Sequence, residues 1–294
     1  MATDLRLQEG GLQSADGTRL HYRSWTVDAP KAAVAVAHGL GEHSGRYAGL
    51  AEALNRRGFD CHAVDLRGMG KSAGRRGHVA GWQRWVEDYA AFHDLVKAKS
   101  GASEVVPLGH SFGGVVVASA ILCGAVEPRR FVLSNPAFRP AIAVPGWKVG
   151  VGRVASRLLP TLTLANELDP ATVSRDPAVV AAYKHDPLVH DRVSSRLFTE
   201  WSAARVEALE RASEIAVPFL LIVSDADRLI DPEGALEFNR RADSGQTLRV
   251  YRGRYHEPFN DLGREEVFAD LTAWLDAPPP STLNGQDVVN HQRI

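Results

Sequence analysis

Short apolar segments alternate with segments of helical periodicity along most of this 294-residue chain, and this alternation limits the possible folds more than any other feature. Strands that alternate with amphipathic helices form a mostly parallel sheet with helices on both faces. Helical spacing is clearest in residues 82–96 and 267–275. The chain is therefore predicted to have an α/β fold, entered through a hairpin that turns at Asp16-Gly17. The predicted strands are residues 5–8, 19–25, 32–37, 60–64, 105–108, 130–133, 217–223 and 247–251.

Charge and apolar runs exclude several classes of protein. Lys and Arg number 34 and Asp and Glu number 35, so the formal net charge is −1 and no basic surface for nucleic acid is indicated. The longest weakly polar run, residues 113–126, is too short to span a bilayer. No secretion signal is evident at the start, and Cys61 and Cys123 lie in apolar segments, as reduced core thiols would. We expect a cytoplasmic protein, with peripheral contact to a membrane as an option.

The alternation of strands and helices is interrupted from residue 137 to residue 215 and then resumes. This stretch has helical spacing and loop residues but no convincing strand. Because ligands of open α/β sheets bind at the carboxyl ends of the strands, we predict that residues 137–215 form a helical cap inserted over that edge. Residues 1–136 and 216–276 then form the core. The polar, proline-rich tail at residues 277–294 is predicted to be disordered.

Apolar residues fill the first half of the predicted cap. They form either the packing surface of the insertion or a wall for an apolar substrate, and the sequence leaves both interpretations open. Ile142, Trp147 and Leu164 are the candidate substrate contacts. The full set is Ile142, Val144, Trp147, Val149, Val151, Leu158, Leu159, Leu162 and Leu164.

Ser111 lies in a G-x-S-x-G pattern, Gly-His-Ser-Phe-Gly at residues 109–113. The predicted strand at residues 105–108 leads into it and an apolar helix follows, which is the context of a nucleophile elbow. Glycines are needed there because the serine backbone is strained and neighbouring side chains would clash. Ser111 is therefore the predicted nucleophile. The alternative is a glycine-rich junction with an incidental serine.

A serine hydroxyl becomes a good nucleophile only when a base takes its proton. In this fold the partners follow in the order serine, acid, histidine. Of the histidines beyond Ser111, His185 and His190 fall in the predicted cap and His291 in the tail. His256, which follows the last predicted strand, is therefore the predicted base.

Three carboxylates follow the strand at residues 217–223 and compete for the role of the acid. Asp231 precedes Pro232 and is predicted to cap the next helix. Asp225 lies nearest to the strand, whereas Asp227 is better placed to reach the histidine. We predict Asp227, with Asp225 as the alternative. The acid would fix the imidazole tautomer and stabilise the imidazolium.

Backbone N–H groups are expected to bind the oxyanion that develops during acyl transfer. One belongs to Phe112, the residue after the nucleophile. The other should lie in the loop after the first parallel strand, where Leu40 is the candidate. Three further residues in that stretch are candidates for substrate binding at the polar end of the pocket. Alternatively, they have a structural role, in which they cap the start of a helix and pair with one another. They are Glu42, Arg46 and Tyr47.

Several stretches resemble the monoacylglycerol lipase and lysophospholipase branch of the α/β-hydrolases, also called the serine aminopeptidase-like family. The resemblance extends from about residue 17 to residue 275. Met69 and Ser224 depart from the family pattern, which has a histidine and a glycine at these positions. The matching stretches are residues 38–47, 65–68, 109–114, 162–164, 174–177, 186–188, 226–229 and 255–256.

This resemblance implies an eight-stranded sheet, a mobile apolar cap over the catalytic residues, and Asp227 as the acid. It also implies hydrolysis of long-chain acyl esters of glycerol without a cofactor or metal. The balanced charge favours an uncharged headgroup, so a monoacylglycerol is the expected substrate, with a lysophospholipid or a general carboxylester as the alternative. Transient contact between the cap and a membrane surface is a further expectation. A non-catalytic protein that binds an apolar ligand is the remote alternative.

Overall fold

The computed structural model describes residues 6–141, 146–166 and 168–278, and an eight-stranded sheet forms the centre of the fold. The strands in these residues are β1 (Arg6–Gln13), β2 (Arg19–Thr26), β3 (Ala33–Ala37), β4 (Asp60–Val64), β5 (Val105–His110), β6 (Phe131–Ser134), β7 (Thr163–Ala165), β8 (Arg192–Ser194), β9 (Phe219–Ser224) and β10 (Thr247–Tyr251). The order in the large sheet is β1-β2-β4-β3-β5-β6-β9-β10.

Most strands of this sheet are parallel to their neighbours, and only the β1–β2 and β2–β4 pairs in it are antiparallel. The β1–β2 hairpin turns through Asp16 and Gly17, and Gly17 has the positive φ of +81° that glycine tolerates. Each of the eight predicted strands coincides with a strand of this sheet, although β1 continues to Gln13. The predicted α/β fold is confirmed.

Helices cover both faces of the sheet. Ala35 of β3 belongs to one apolar cluster, with Trp85, and Val34 belongs to a second cluster, with Leu54. This division follows because successive side chains of a strand point to opposite faces. No helix within the described ranges has the length and apolar character needed to cross a membrane. The α-helices in the described residues are α1 (Ala48–Arg56), α2 (Gln83–Lys99), α3 (Phe112–Leu122), α4 (Gly146–Leu158), α5 (Pro177–His185), α6 (Ser195–Glu210), α7 (Pro232–Arg241) and α8 (Arg264–Asp276).

Between β6 and β9 the chain forms α4, β7, α5, β8 and α6. Strands β7 and β8 are antiparallel, with Thr163 opposite Ser194. The prediction that residues 137–215 contain no strand is therefore wrong. Each of these strands has only three residues, too few for a strand periodicity to show in the sequence. Most of the predicted disordered tail, residues 279–294, lies outside the described residues.

Both cysteines are free. Cys61 is buried in β4, and its burial raises the pKa of the thiol. Cys123 is exposed, so the prediction of a core thiol is wrong at this position. The reason is local, because α3 ends at Leu122 and Cys123 is its C-cap residue.

Candidate active site

Ser111 lies in a sharp turn between the end of β5 and the start of α3, with φ of +52° and ψ of −118°. Residues other than glycine rarely adopt this conformation, so the surrounding packing must hold the turn. A Cβ on Gly109 would lie 2.5 Å from the Gly113 carbonyl oxygen, and one on Gly113 would lie 2.2 Å from that of Ala37. Glycine is therefore required on both sides of the serine. Phe112 begins α3, and the first N–H groups of a helix have no partner within the helix.

Ser111, His256 and Asp227 come together at the carboxyl ends of β5, β10 and β9, and all three are buried. The Nε2 atom of His256 lies 2.8 Å from Ser111 Oγ, and its Nδ1 atom lies 2.6 Å from Asp227 Oδ2. The other carboxylate oxygen of Asp227 accepts the N–H groups of Leu229 and Ile230, at 2.8 and 3.1 Å. These bonds hold the carboxylate with one oxygen directed at the imidazole.

The other two carboxylates of this loop have different partners. Asp225 Oδ1 accepts the Gly253 N–H at 2.6 Å. Asp231 caps α7 by accepting the Glu233 N–H at 3.0 Å, as predicted from Pro232. The structure thus brings Asp227, and not the alternative Asp225, to the imidazole.

The two histidines beside Ser111 have opposite pKa shifts. Burial lowers the pKa of His256, but the Asp227 carboxylate, together with the charges of Glu257 and Glu42, raises it above the ordinary 6.5. The ring of His110 lies 5.0 Å from that of His256. Burial and the charge of His256 lower the pKa of His110 to about 3. His110 is therefore neutral near pH 7, whereas His256 can take up a proton.

The loop after β3 packs directly against the serine, because a Cβ on Gly39 would lie 3.3 Å from Ser111 Cβ. The Leu66 N–H donates to His38 Nε2 at 2.9 Å, so the proton of this ring is on Nδ1. That Nδ1–H donates to the Gly39 carbonyl at 2.7 Å and so fixes the loop. The next N–H along the loop, that of Leu40, has no backbone or side-chain hydrogen bond to the described residues.

Glu42, Arg46 and Tyr47 bond to one another beside this loop. Arg46 Nε donates to Glu42 Oε2 at 3.0 Å, and Tyr47 donates to Glu42 Oε1 at 2.9 Å. Arg46 also pairs with Glu257, and its guanidinium lies 4.7 Å from the Tyr183 ring centre. Burial opposes ionisation of Glu42, but Arg46, together with nearby histidines and the Gly39 N–H, lowers the pKa of Glu42 to about 2. Glu42 lines the site cavity, whereas Arg46 and Tyr47 are not among its described lining residues.

A cavity of about 800 Å³ opens over Ser111 and His256. Trp147 and Leu164, two of the three predicted substrate contacts, lie in the wall of this cavity. Ile142 lies outside the described residues, as do Val144 and the side chain of Val149. The apolar wall residues described from α4 to α6 are Trp147, Val151, Ala155, Leu162, Leu164, Ala165, Leu168, Val173, Val193, Phe198 and Trp201.

Residues 28–263 match the family described as serine aminopeptidase, S33. The chain belongs to this family. It is 35% identical to a monoacylglycerol lipase of Mycolicibacterium smegmatis over 91% of this chain and 96% of the relative. It is 34% identical to the monoglyceride lipase of Homo sapiens over 90% of this chain and 89% of the relative. A solved structure of a Paleococcus ferrophilus monoacylglycerol lipase matches with a TM-score of 0.79 and 34% identity, covering 87% of this chain and 98% of the other.

Membership of the S33 family, with these relatives, makes the chain a carboxylic ester hydrolase of the α/β-hydrolase fold.

Several residues that line the cavity over Ser111 and His256 were not predicted from the sequence. Phe198 and Trp201 lie three residues apart on α6, a spacing that could have indicated one apolar helix face. No sequence pattern marks Tyr183 or Glu257, which lie in the wall through tertiary packing. Within the described ranges no group of three or more His, Cys, Asp or Glu side chains is arranged to hold a metal ion.

Proposed function

We propose that the protein is a monoacylglycerol lipase, which hydrolyses a long-chain monoacylglycerol to glycerol and a free fatty acid. The observation that carries the proposal is the 2.8 Å contact between His256 Nε2 and Ser111 Oγ at the floor of a mainly apolar cavity. The cavity volume of about 800 Å³ is typical of sites for small organic ligands. The names of the relatives from Mycolicibacterium smegmatis and Homo sapiens support this choice of substrate.

The first half of the reaction forms an acyl-enzyme. Ser111 Oγ attacks the ester carbonyl carbon while His256 Nε2 takes its proton, and Asp227 stabilises the imidazolium. The carbonyl oxygen becomes an oxyanion that the N–H groups of Leu40 and Phe112 bind. The carbon–oxygen bond to glycerol then breaks. His256 donates its proton to the leaving oxygen, and the acyl group stays on Ser111.

The second half releases the fatty acid. Water attacks the acyl carbonyl carbon while His256 Nε2 takes one of its protons. The bond to Ser111 Oγ breaks and the serine recovers a proton from the imidazolium, so the enzyme returns to its starting state. Because His256 serves alternately as base and acid, its contacts with both neighbours must hold through the cycle.

The cavity wall suits one long apolar chain and a small neutral headgroup. Burial of the acyl chain against residues such as Trp147 and Leu164 contributes about 0.8 kcal/mol per methylene group. Beside Ser111 the wall becomes polar, and Glu42 and His110 offer hydrogen-bond partners to glycerol hydroxyls. Since Arg46 keeps Glu42 ionised, a phosphate close to this carboxylate would be repelled.

A lysophospholipid is the second candidate substrate because Arg228 lines the same cavity. A guanidinium is a strong partner for a phosphate group. The Arg228 guanidinium lies 4.7 Å from the centre of the Tyr255 ring, which supports its position. The glycerol of a monoacylglycerol would therefore contact Glu42 and His110, whereas the phosphate of a lysophospholipid would contact Arg228.

We also propose that residues 137–215 act as a cap and that α4 touches the lipid surface that supplies the substrate. Part of this segment is bound to the core, since His43 Nε2 lies 2.8 Å from Asp186 Oδ2 and the Ser194 N–H donates to the Gly77 carbonyl at 2.8 Å. The α4–β7 part instead exposes a cluster of large apolar side chains, which is typical of an interaction surface. They are Trp147, Val151, Val154, Leu158, Leu159, Leu162 and Leu164.

This contact can be tested with Val154→Ser and Leu158→Ser together, because neither residue is among the described cavity-lining residues. The variant should sediment less with phosphatidylcholine vesicles than the wild type does. Its kcat on a water-soluble short-chain ester should be unchanged. Equal sedimentation of the two proteins would contradict the proposed surface.

The catalytic proposal is tested by measuring glycerol release from a monoacylglycerol with the wild type and Ser111→Ala. Activity should fall to background in Ser111→Ala. Ser119→Ala is the matched control, because Ser119 lies on α3, is not among the described cavity-lining residues, and uses its hydroxyl to accept a hydrogen bond from Trp82. Equal activity of wild type and Ser111→Ala, or no activity of the wild type on any ester, would refute the mechanism.

Substrate choice requires specific activities across monoacylglycerols of increasing chain length, with diacylglycerols, triacylglycerols, lysophosphatidylcholine and an acetyl ester in the same series. We expect the highest kcat/KM for a long-chain monoacylglycerol. A higher value for lysophosphatidylcholine, lost in Arg228→Ala, would favour the second candidate. A preference for the acetyl ester would contradict the long-chain assignment.

A further inference from the structure

Asn135 is a buried residue that directly follows β6, at the sheet edge where the active-site residues meet. Its φ of +40° places it in the left-handed region, which asparagine tolerates better than most side chains. It is not one of the described residues that line the cavity, so contact with substrate does not account for it. Its role must therefore come from the groups that it bonds.

The amide of Asn135 uses both of its donors and its acceptor. Its Nδ2 donates to the His256 carbonyl at 2.7 Å and to Ser224 Oγ at 3.0 Å. Its Oδ1 accepts the Ser224 N–H at 2.7 Å. Ser224 is the last residue of β9, the strand that leads to Asp227. One side chain thus joins the end of the acid-bearing strand to the loop that carries the histidine.

The end of β6 also holds the nucleophile. The Ser111 N–H donates to the Ser134 carbonyl at 3.0 Å, and the Asn135 N–H donates to the Ile222 carbonyl at 2.9 Å. Ser134 and Asn135 together therefore bond to the segments that carry the serine, the acid and the histidine. The hydroxyl of Ser224, which replaces the glycine of the family pattern, is the acceptor for one Asn135 amide hydrogen.

We infer that Asn135 is a positioning residue for the hydrolytic reaction, acting through the main-chain carbonyl of His256 to hold the imidazole against Ser111 and Asp227. The inference rests on the proposed function, because it assumes that His256 transfers the proton. Proton transfer depends steeply on the distance between the reacting atoms, and a displacement of about 1 Å can reduce a rate about 10²-fold. The loop from Arg252 to His256 follows the end of β10 without further strand pairing. Asp225 and Asp261 hold its Gly253 and Tyr255 N–H groups, and Asn135 bonds to the backbone of the histidine itself.

The test compares Asn135→Ala and Asn135→Asp with Asn55→Ala. Aspartate has the size of asparagine but, when ionised, cannot donate to the His256 carbonyl. Asn55 is the matched control, because it is also buried and its amide donates to two backbone carbonyls, those of Trp25 and Phe59. For each variant we would measure kcat, KM and the pH profile on a water-soluble ester, the rate of labelling by a fluorophosphonate, and the melting temperature.

Both Asn135 variants should lose about 10- to 100-fold in kcat and in labelling rate, with KM changed less than about twofold. In Asn135→Ala the acidic limb of the pH profile should move to lower pH, because a looser contact with Asp227 stabilises the imidazolium less. Asn55→Ala should lose melting temperature but keep the wild-type kcat and pH profile.

Wild-type kcat and an unmoved acidic limb in both Asn135 variants would overturn the inference. So would an equal loss of kcat in Asn55→Ala, since that would indicate a general effect of stability. Failure of the proposed function has a different signature, which is full activity of Ser111→Ala in the same assay.

Discussion

Gly39 donates its backbone N–H to Glu42 Oε1 at 2.5 Å. This bond closes the loop after β3 and leaves the following N–H, that of Leu40, available to the cavity. Tyr47 and Arg46 supply further donors to the same carboxylate. The buried charge of Glu42 therefore does more than pair with an arginine, because it shapes the loop that carries a proposed oxyanion donor.

Replacing Glu42 by alanine should reduce kcat about 10²-fold, because misplacing the Leu40 N–H resembles the loss of one oxyanion donor. The free energy of unfolding should also fall by about 1–3 kcal/mol, since the Gly39 N–H would be buried without a partner. Glu42→Gln is the matched control, as its amide oxygen can still accept from Gly39, and it should lose less activity. The assay is kcat on a short-chain ester together with chemical denaturation. An unchanged kcat in Glu42→Ala would show that the loop holds its shape without the carboxylate.

Asp227→Asn and Asp225→Asn should have very different activities, although the residues are separated by one position. Asp227 contacts His256 Nδ1 at 2.6 Å, so its loss should reduce kcat about 10³- to 10⁴-fold by allowing the wrong imidazole tautomer. Asp225 instead accepts the Gly253 N–H, and its replacement should change kcat by less than about tenfold. Steady-state kinetics of both variants checks this. A larger loss of kcat in Asp225→Asn than in Asp227→Asn would contradict the choice of Asp227 as the acid.

The grouping of the proposed catalytic residues could be predicted from the sequence because each of them follows a strand. Ser111, Asp227 and His256 come after β5, β9 and β10, and the carboxyl ends of parallel strands meet at one edge of a sheet. Asp227 was favoured over Asp225 because it lies two residues further along the loop and is better placed to reach the histidine. For Glu42, Arg46 and Tyr47 the sequence left two roles open, and the structure shows mutual pairing, with Glu42 alone among them in the described cavity wall.

Other features could not be predicted because they depend on tertiary contacts. Met69 replaces the histidine of the family pattern, and its sulfur accepts the Gly41 N–H at 3.4 Å, a weak bond that no sequence rule suggests. Asn135 and Ser224 are distant in sequence and acquire their roles only when β6 and β9 pair. The β7–β8 pair was missed because three residues are too few for a periodic signal.

Activity should rise with pH through a pKa above 6.5, because Asp227 raises the pKa of His256 and only the neutral imidazole can take the serine proton. The stability that the His256–Asp227 pair contributes should instead fall as pH rises. A raised folded-state pKa means that the contribution of the His256–Asp227 pair is fully present below the unfolded-state pKa and is lost as pH rises through the folded-state pKa.

Two measurements check these signs: the pH profile of kcat/KM, and the melting temperature of wild type and Asp227→Asn across the same pH range. The stability difference between the two proteins should be largest at low pH and shrink as pH rises through the acidic limb of the activity profile. A difference that grows with pH would contradict a raised pKa for His256.

Gly152→Val should shift the enzyme toward shorter acyl chains. Gly152 lines the cavity on α4, and a Cβ there would lie 3.1 Å from the Phe198 ring on α6, so a larger side chain must displace the ring or fill the cavity. Gly150→Val is the matched control, because a Cβ on Gly150 would meet no described atom within 4 Å and the change in helix propensity is the same. The measurement is kcat/KM across a chain-length series. Gly152→Val should lose most kcat/KM for the longest chains, while Gly150→Val should keep the wild-type chain-length profile. The same profile in both variants would show that the contact between α4 and α6 is not part of the acyl site.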